Sequence, residues 1–233
     1  MKVPVMIELY KQAREGIISL NDSLLIKTSF TSIVDGNSYT MDVGEDSETV
    51  LYEKVGSKLP VKDLMFEMIT QSSNLATNIL IELVGARKVT ATMRTLGAPD
   101  IEVLRGVEDL KAFAAGLSNS TTAFDLMKIF EAIGTETIIS EQTCSEMMRI
   151  LLAQHFNNII PAQLPAEVKV AHKTGSITGV QHDAGIVVLP NSHKYVLILL
   201  SMEIENKRAG IETLATISKM VYDFVVAEKD HQK

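Results

Sequence analysis

Apolar and polar positions alternate with a helical period over most of the chain and with a strand period near its end. Residues 1–15 read as a helix, apolar in the first half and charged later at Lys11, Arg14 and Glu15, with Gly16 as its stop. Pro4 has no N–H to donate and is tolerated only near a helix start, so this helix begins just a few residues before Lys2. Residues 17–27 read as a turn and a short apolar stretch, and 28–48, rich in Ser, Thr, Asp and Gly, as a long loop without a period. Residues 61–71 and 74–84 are helical on either side of Ser72-Ser73, Gly85 ends the second helix, and a third covers 86–96. No clear period covers 102–120. Thr122-Ala123-Phe124-Asp125 opens a helix to about Ala132, and Ser140 caps another through 153. The pattern then changes. Residues 167–173, 183–189 and 194–201 are β-rich, the last two joined by the hairpin signal Pro190-Asn191-Ser192-His193, and 207–228 is a closing amphipathic helix. Helices in the middle, an antiparallel hairpin late and helices at both ends give an α+β fold. The expected organisation is one domain over 1–233, with a helical lobe at about 28–155 and an α/β lobe from 1–27 plus 156–233. Its cleft lies between the lobes.

Composition narrows the function. The 233 residues carry a net charge of −7, and no Lys/Arg cluster forms a stripe, so no nucleic-acid partner is expected. The single cysteine, Cys144, allows no internal disulfide and sits in a helical pattern with Met147, Met148 and Leu151, as a core residue would. No apolar run reaches membrane-spanning length, and no signal peptide is evident. The five histidines (His155, His172, His182, His193 and His231) lack metal-ligand spacing, so neither a metal nor another cofactor is expected. His182-Asp183 has the form of a dyad but reads more simply as polar residues entering a strand.

Three short motifs carry chemistry. Lys173-Thr174-Gly175, within Ala171–Ser176, precedes strand-like segments; Ser72-Ser73-Asn74 lies a hundred residues upstream; and Lys2 stands at the start of the first helix. In this order they resemble the S-x-x-K, S-x-N and K-T-G elements of the penicillin-recognising serine enzymes. The resemblance to class A β-lactamases covers nearly the whole chain: Met1–Tyr10 is similar to the nucleophile helix, Met68–Leu80 to the segment after it (with Ser73 where Asp is common), Ser120–Ala123 to the segment after the Ω loop, and His172–Ser176 and Asp183–Ile186 to the final strands.

The resemblance implies roles. The nucleophilic serine would stand three residues before Lys2, which is two residues upstream of Met1, together with an opening helix and first strands; Met1 is therefore expected to be an internal methionine. Such a serine lies one helical turn from Lys2, whose amine would accept its proton if burial and the nearby Lys173 cation depress its pKa. Ser72 would relay the proton to the leaving nitrogen, and Asn74 would hold a substrate amide and Lys2 together. Lys173, Thr174 and the Ser176 hydroxyl would bind a substrate carboxylate, Gly175 would let the substrate approach the strand edge, and the Ser176 N–H would form half of the oxyanion hole. The expected ligand is a β-lactam or a D-Ala-D-Ala-like peptide, bound by a monomer in the periplasm or outside the cell. Without the upstream segment, an open sheet edge and bared apolar surface predict poor solubility.

The Ω loop fits this family less well. Class A members have an Arg, a Glu two residues later and an Asn four residues beyond that. Here the Glu of Arg105-Gly106-Val107-Glu108 comes one residue late, Ala112 occupies the Asn position, and Asn119 replaces the Asp that pairs with the Arg. Glu108 is the activator of the hydrolytic water, an ion-pair partner of Arg105 or a solvated loop acid. Two alternatives accompany β-lactam hydrolysis: a D,D-peptidase or esterase on the same scaffold, and a ligand-binding relic without catalysis.

Overall fold

In the computed structural model, which describes residues 1–230, the first helix is a core element rather than an amphipathic surface one. Helix α1 (Lys2–Arg14) buries Val3 through Tyr10 and also Gln12, as expected of a helix apolar on most sides. It packs on α2 (Val61–Thr70), α3 (Asn74–Val84) and α4 (Ala86–Thr95). Its one buried acid, Glu8, is satisfied by Gln12 Nε2 at 2.7 Å and Thr92 Oγ1 at 2.5 Å, as an interior carboxylate requires.

Capping sets the middle helices. Ser73 Oγ accepts the Ala76 N–H at the start of α3, which Gly85 ends at φ +83°. Asp109, Thr122 and Ser140 cap α5 (Leu110–Ala114), α6 (Ala123–Gly134) and α7 (Glu141–Leu152). These side-chain acceptors take first-turn amides that have no partner within the helix. Helix α5 lies in the stretch 102–120, where the sequence offered no period, because five residues are too few to display one.

The stretch 28–48 is not all loop. Strands β1 (Ser23–Leu25) and β4 (Lys58–Pro60) pair in one antiparallel ribbon, and β2 (Ser29–Thr31) and β3 (Ser38–Thr40) in another. Each of these strands has three residues, and β2 buries Phe30 alone. That is too short for alternation to register.

The late strands form an antiparallel sheet, β5 (Lys169–Ile177), β6 (Val180–Val188) and β7 (Lys194–Leu199), in sequential order. Lys173-Thr174-Gly175-Ser176 therefore lies inside β5 and not ahead of the strands, and β6 starts three residues earlier than its apolar run. The polar residues of both elements obscured a hairpin that turns at Thr178-Gly179. Alternation divides the sheet between two cores. Ala171, Ala184 and Ile186 join the core built on α1–α4, α6 and α7, while Val170, Val187, Leu197 and Leu199 join a second core with Leu214 of α8 (Lys207–Asp230). Lys173 pairs with Ala184 and so projects on the side of the helices. His231 lies outside the described residues.

Candidate active site

Three elements converge on one hydroxyl. Lys2 opens α1, Ser72 occupies the joint between α2 and α3, and Lys173 comes from the middle of β5. Ser72 Oγ accepts from Lys2 Nζ at 3.1 Å and from Lys173 Nζ at 2.9 Å. Lys2 Nζ also donates to Asn74 Oδ1 at 3.0 Å and to the Ser72 carbonyl, and Lys173 Nζ donates to Thr174 O at 2.9 Å. Ser72 adopts φ +59°, a left-handed conformation rare outside glycine. That conformation costs on the order of 1 kcal/mol and is found at sites where the surroundings over-determine it. Here Lys2 and Ser47 Oγ, the latter 3.3 Å away, both bond the Ser72 carbonyl.

Of the two lysines that meet here, Lys173 is buried and Lys2 half-buried. Burial, with the Lys173 charge behind it, lowers Lys2 well below the usual lysine range, against the opposing pull of Asp46. Burial brings Lys173 down to about 8, against the charge of Asp183. A neutral amine at Lys2 is a competent proton acceptor near neutral pH.

The rest of β5 lies beside this point. Ser176 Oγ accepts from Gln181 Nε2 at 3.0 Å. Among the described residues β5 is an edge strand, paired only with β6. A Cβ on Gly175 would touch only His182, at an ordinary 3.5 Å, so nothing in the protein interior demands glycine there.

Glu108 makes no hydrogen bond or ion pair to Lys2 or Lys173 among the described residues. Its Oε2 accepts the Asp42 N–H at 2.9 Å, its backbone sits at φ +64°, and Oε1 is buried without a partner. Burial and the charges of Asp46, Asp42 and Glu45 raise its carboxyl above the ordinary range. The residue held toward α3 is instead Val107, whose N–H and C=O are both bonded by the Asn78 side chain, at 2.7 and 3.0 Å. The ion pair with Arg105 is also absent. Arg105 donates to Leu117 O and Gly106 O and lies over the Phe113 ring, while Asn119 Oδ1 accepts the Leu104 and Arg105 amides. An amide in place of a carboxylate at 119 ties the backbone of the loop, and among the described residues the guanidinium forms no ion pair.

Two further features escaped the sequence. Asp183 pairs with His172 and not with its neighbour His182: His172 Nδ1 lies 2.8 Å from Asp183 Oδ1, and its Nε2 lies 3.1 Å from Asn157 Oδ1. His182 Nδ1 instead accepts the Ser201 N–H at 3.1 Å. The alternation of β5 and β6 would have revealed it, since His172 and Asp183 fall on the same face of adjacent strands. The second is Asp46, a loop residue with no motif around it, which bonds the first turn of α3. Cys144 is buried and donates to Ile138 O. Among the described residues no group of three or more His, Cys, Asp or Glu could hold a metal, and no helix is long and apolar enough to cross a membrane.

An α+β fold in which two lysines from different elements meet at a serine on a helix joint defines the class of the β-lactamases and penicillin-binding proteins. The sequence pattern of the Beta-lactamase enzyme family matches residues 1–225, and the chain belongs to that family. It is similar to a Beta-lactamase of Bacteroides uniformis, 27% identical over 179 residues that cover 71% of this chain and 60% of the relative. The chain thus spans about 60% of the length of that curated relative. Among solved structures, PBP-A superposes with a TM-score of 0.81 at 26% identity over 97% of this chain and 79% of its own. A single-substitution mutant of PBP-A, solved as an acyl-enzyme complex with penicillin G, gives a TM-score of 0.80 at 26% identity, covering 97% of this chain and 80% of its own. A representative class A β-lactamase from Bacteroides cellulosilyticus gives 0.75 at 25% identity, covering 96% and 81%.

Proposed function

We propose that this chain carries the acyl-transfer site of a β-lactamase-like serine hydrolase, which opens a β-lactam ring through an acyl-serine. The observation that carries this reading is the chain of hydrogen bonds Lys2–Ser72–Lys173. In it, a serine three residues ahead of Lys2 attacks the lactam carbonyl and gives its proton to the neutral Lys2 amine. Lys2 returns a proton through the Ser72 hydroxyl to the departing ring nitrogen, so the protons balance and the serine remains acylated. Asn74 orients the substrate amide. Lys173, Thr174 and Ser176 hold its carboxylate, and the Ser176 N–H on the open edge of β5 supplies one oxyanion donor. The setting expected from the family is extracytoplasmic.

Glu108 favours a second reading of the water step. With one carboxylate oxygen engaged by the Asp42 amide and acids around it, it forms no bond to Lys2 or Ser72. Acylation without fast hydrolysis is the behaviour of a D,D-peptidase or esterase, and the PBP-A mutant captured with penicillin G supports that variant on this scaffold.

Intact-mass spectrometry tests both readings, on protein that carries a serine three residues ahead of Lys2. Benzylpenicillin should add its full mass, and Lys2→Met should abolish the addition. Loss of the added mass within seconds indicates a β-lactamase. Persistence for many minutes, with turnover of a D-Ala-D-Ala peptide or a simple ester, indicates the second reading. No addition from benzylpenicillin or a chromogenic cephalosporin leaves a ligand-binding relic.

A further inference from the structure

Asp46 comes from an irregular stretch that follows a short turn of 3-10 helix at Val43–Glu45. Its carboxylate accepts the Asn74 N–H at 2.9 Å with each oxygen, and the Leu75 N–H at 2.9 Å with Oδ2. Both amides belong to the first turn of α3 and have no partner within that helix. Oδ2 also accepts the Tyr52 hydroxyl at 3.2 Å, and Oδ1 the Glu48 N–H at 3.2 Å, so the carboxylate is held by its own stretch of chain as well. Asn74 is the residue whose Oδ1 receives Lys2. One carboxylate therefore grips the backbone of the residue that grips the amine.

We infer that Asp46 is a positioning residue of this site: it fixes Asn74 through the first turn of α3 and stands as the countercharge of Lys2. The inference rests on the reading of Lys2 as the proton acceptor. The charge of Asp46 opposes the lowering of Lys2 that burial and Lys173 produce. The other groups that act on this cluster are Asp42, Glu45 and Glu108, which face one another on the two loops, with Glu48 beside Asp46 and Lys173 across Ser72. Asp42 bonds the Gly44 amide through its side chain and makes no bond to α3, which makes it a control of equal charge. Asp46 thus offsets part of that lowering, and holds the Asn74 side chain where both substrate and amine can reach it.

The test uses protein that carries a serine three residues ahead of Lys2, labelled with 15N at the lysine side chains. In Asp46→Asn the titration midpoint of Lys2 should fall by roughly one pH unit, and the acid limb of benzylpenicillin acylation should move down with it. Exchange of the Asn74 and Leu75 amides should accelerate about tenfold or more. Asp42→Asn, with the same loss of charge, should leave the amides unchanged and move Lys2 by less. Tyr52→Phe keeps the charge and frees one side of the carboxylate. It should quicken amide exchange without moving Lys2, and it remains informative if Asp46→Asn does not fold. A Lys2 midpoint and acid limb in Asp46→Asn that coincide with the parent, or amide exchange unaltered in both Asp46→Asn and Tyr52→Phe, overturns the inference. Failure of the parent to acylate overturns the functional reading instead, and the Lys2 titration still decides whether Asp46 is its countercharge.

Discussion

Lys2 and Lys173, separated by 171 positions in sequence, donate to the same oxygen, Ser72 Oγ, at 3.1 and 2.9 Å. Two ammonium groups cannot both remain charged at that separation without loss. The protein resolves the conflict by burial: Lys173 falls to about 8, and Lys2 falls well below the usual lysine range. Helix, joint and strand each contribute one member, so the site exists only when all three are assembled.

Removing the shared oxygen should therefore separate binding from chemistry. Ser72→Ala is expected to slow β-lactam acylation about 10²–10³-fold, in the range of a lost proton-transfer group, with a smaller change in affinity. Single-turnover kinetics with a chromogenic cephalosporin on serine-bearing protein measures both. An acylation rate within threefold of the parent contradicts the relay.

Glu108 should be nearly silent in the water step. Glu108→Gln is expected to change the lifetime of the acyl-enzyme by less than about threefold, because Oε2 is held by the Asp42 amide and neither oxygen bonds Lys2 or Ser72. The decay of the penicilloyl adduct by mass spectrometry reads this directly. A hundredfold longer lifetime would restore the carboxylate as the activator of water.

Gly106 should prove indispensable for a steric reason. A Cβ there would come within 2.5 Å of Asn78 Oδ1, the atom that accepts the Val107 N–H at 2.7 Å. Gly106→Ala is expected to break that clamp and cost about 1–3 kcal/mol. Urea unfolding should show it, together with sharply raised amide exchange at Val107. Gly175→Ala, where only His182 is met at contact distance, should leave stability within about 0.5 kcal/mol and lower the acylation rate through substrate approach alone.

Stability should rise with pH across the alkaline side of neutrality. A lysine held at about 8 in the folded state, against an ordinary 10.5, penalises folding fully below pH 8, and the penalty fades as pH rises toward 10.5. Its size is on the order of 3 kcal/mol, and Lys2 adds in the same direction. Urea midpoints should therefore increase between pH 7 and pH 9.5, and Lys173→Met should be more stable than the parent at pH 7 and flatter in that window. A parent curve that is flat or falling removes this account. Tyr39, Tyr52 and Tyr10, all pushed up by burial, act in the opposite sense only at higher pH.

Much of this arrangement was legible in the sequence, and the exceptions have a common cause. Helix caps such as Thr122 and Ser140 and stops such as Gly85 act within a few residues, so their signals are local and readable. Lys2, Ser72-Ser73-Asn74 and Lys173–Ser176 were recognisable as three short strings in a fixed order. Asp46 was not, because its contribution depends on a loop folding back onto α3, and nothing near it in the chain records that. The direction of Glu108 was hidden in the same way. Its left-handed backbone turns the side chain toward Asp42, while the spacing from Arg105 only counted residues. The pairing of Asp183 with His172 rather than His182 required the register of two strands, which proximity in sequence misrepresents. The hairpin of β2 and β3 and the short helix α5 were simply below the length at which a period can be recognised.

The register between β5 and β6 has one more implication. His172 lies over Gly185, where a Cβ would come within 2.5 Å of it, and it is tied to Asp183 on the neighbouring strand and to Asn157 beyond. A slip by a single position would drive the imidazole into a methyl group and turn Lys173 to the opposite face of the sheet. The strand therefore behaves like a keyed shaft in its bearing: it seats in one setting, and in that setting the ammonium group is already aimed.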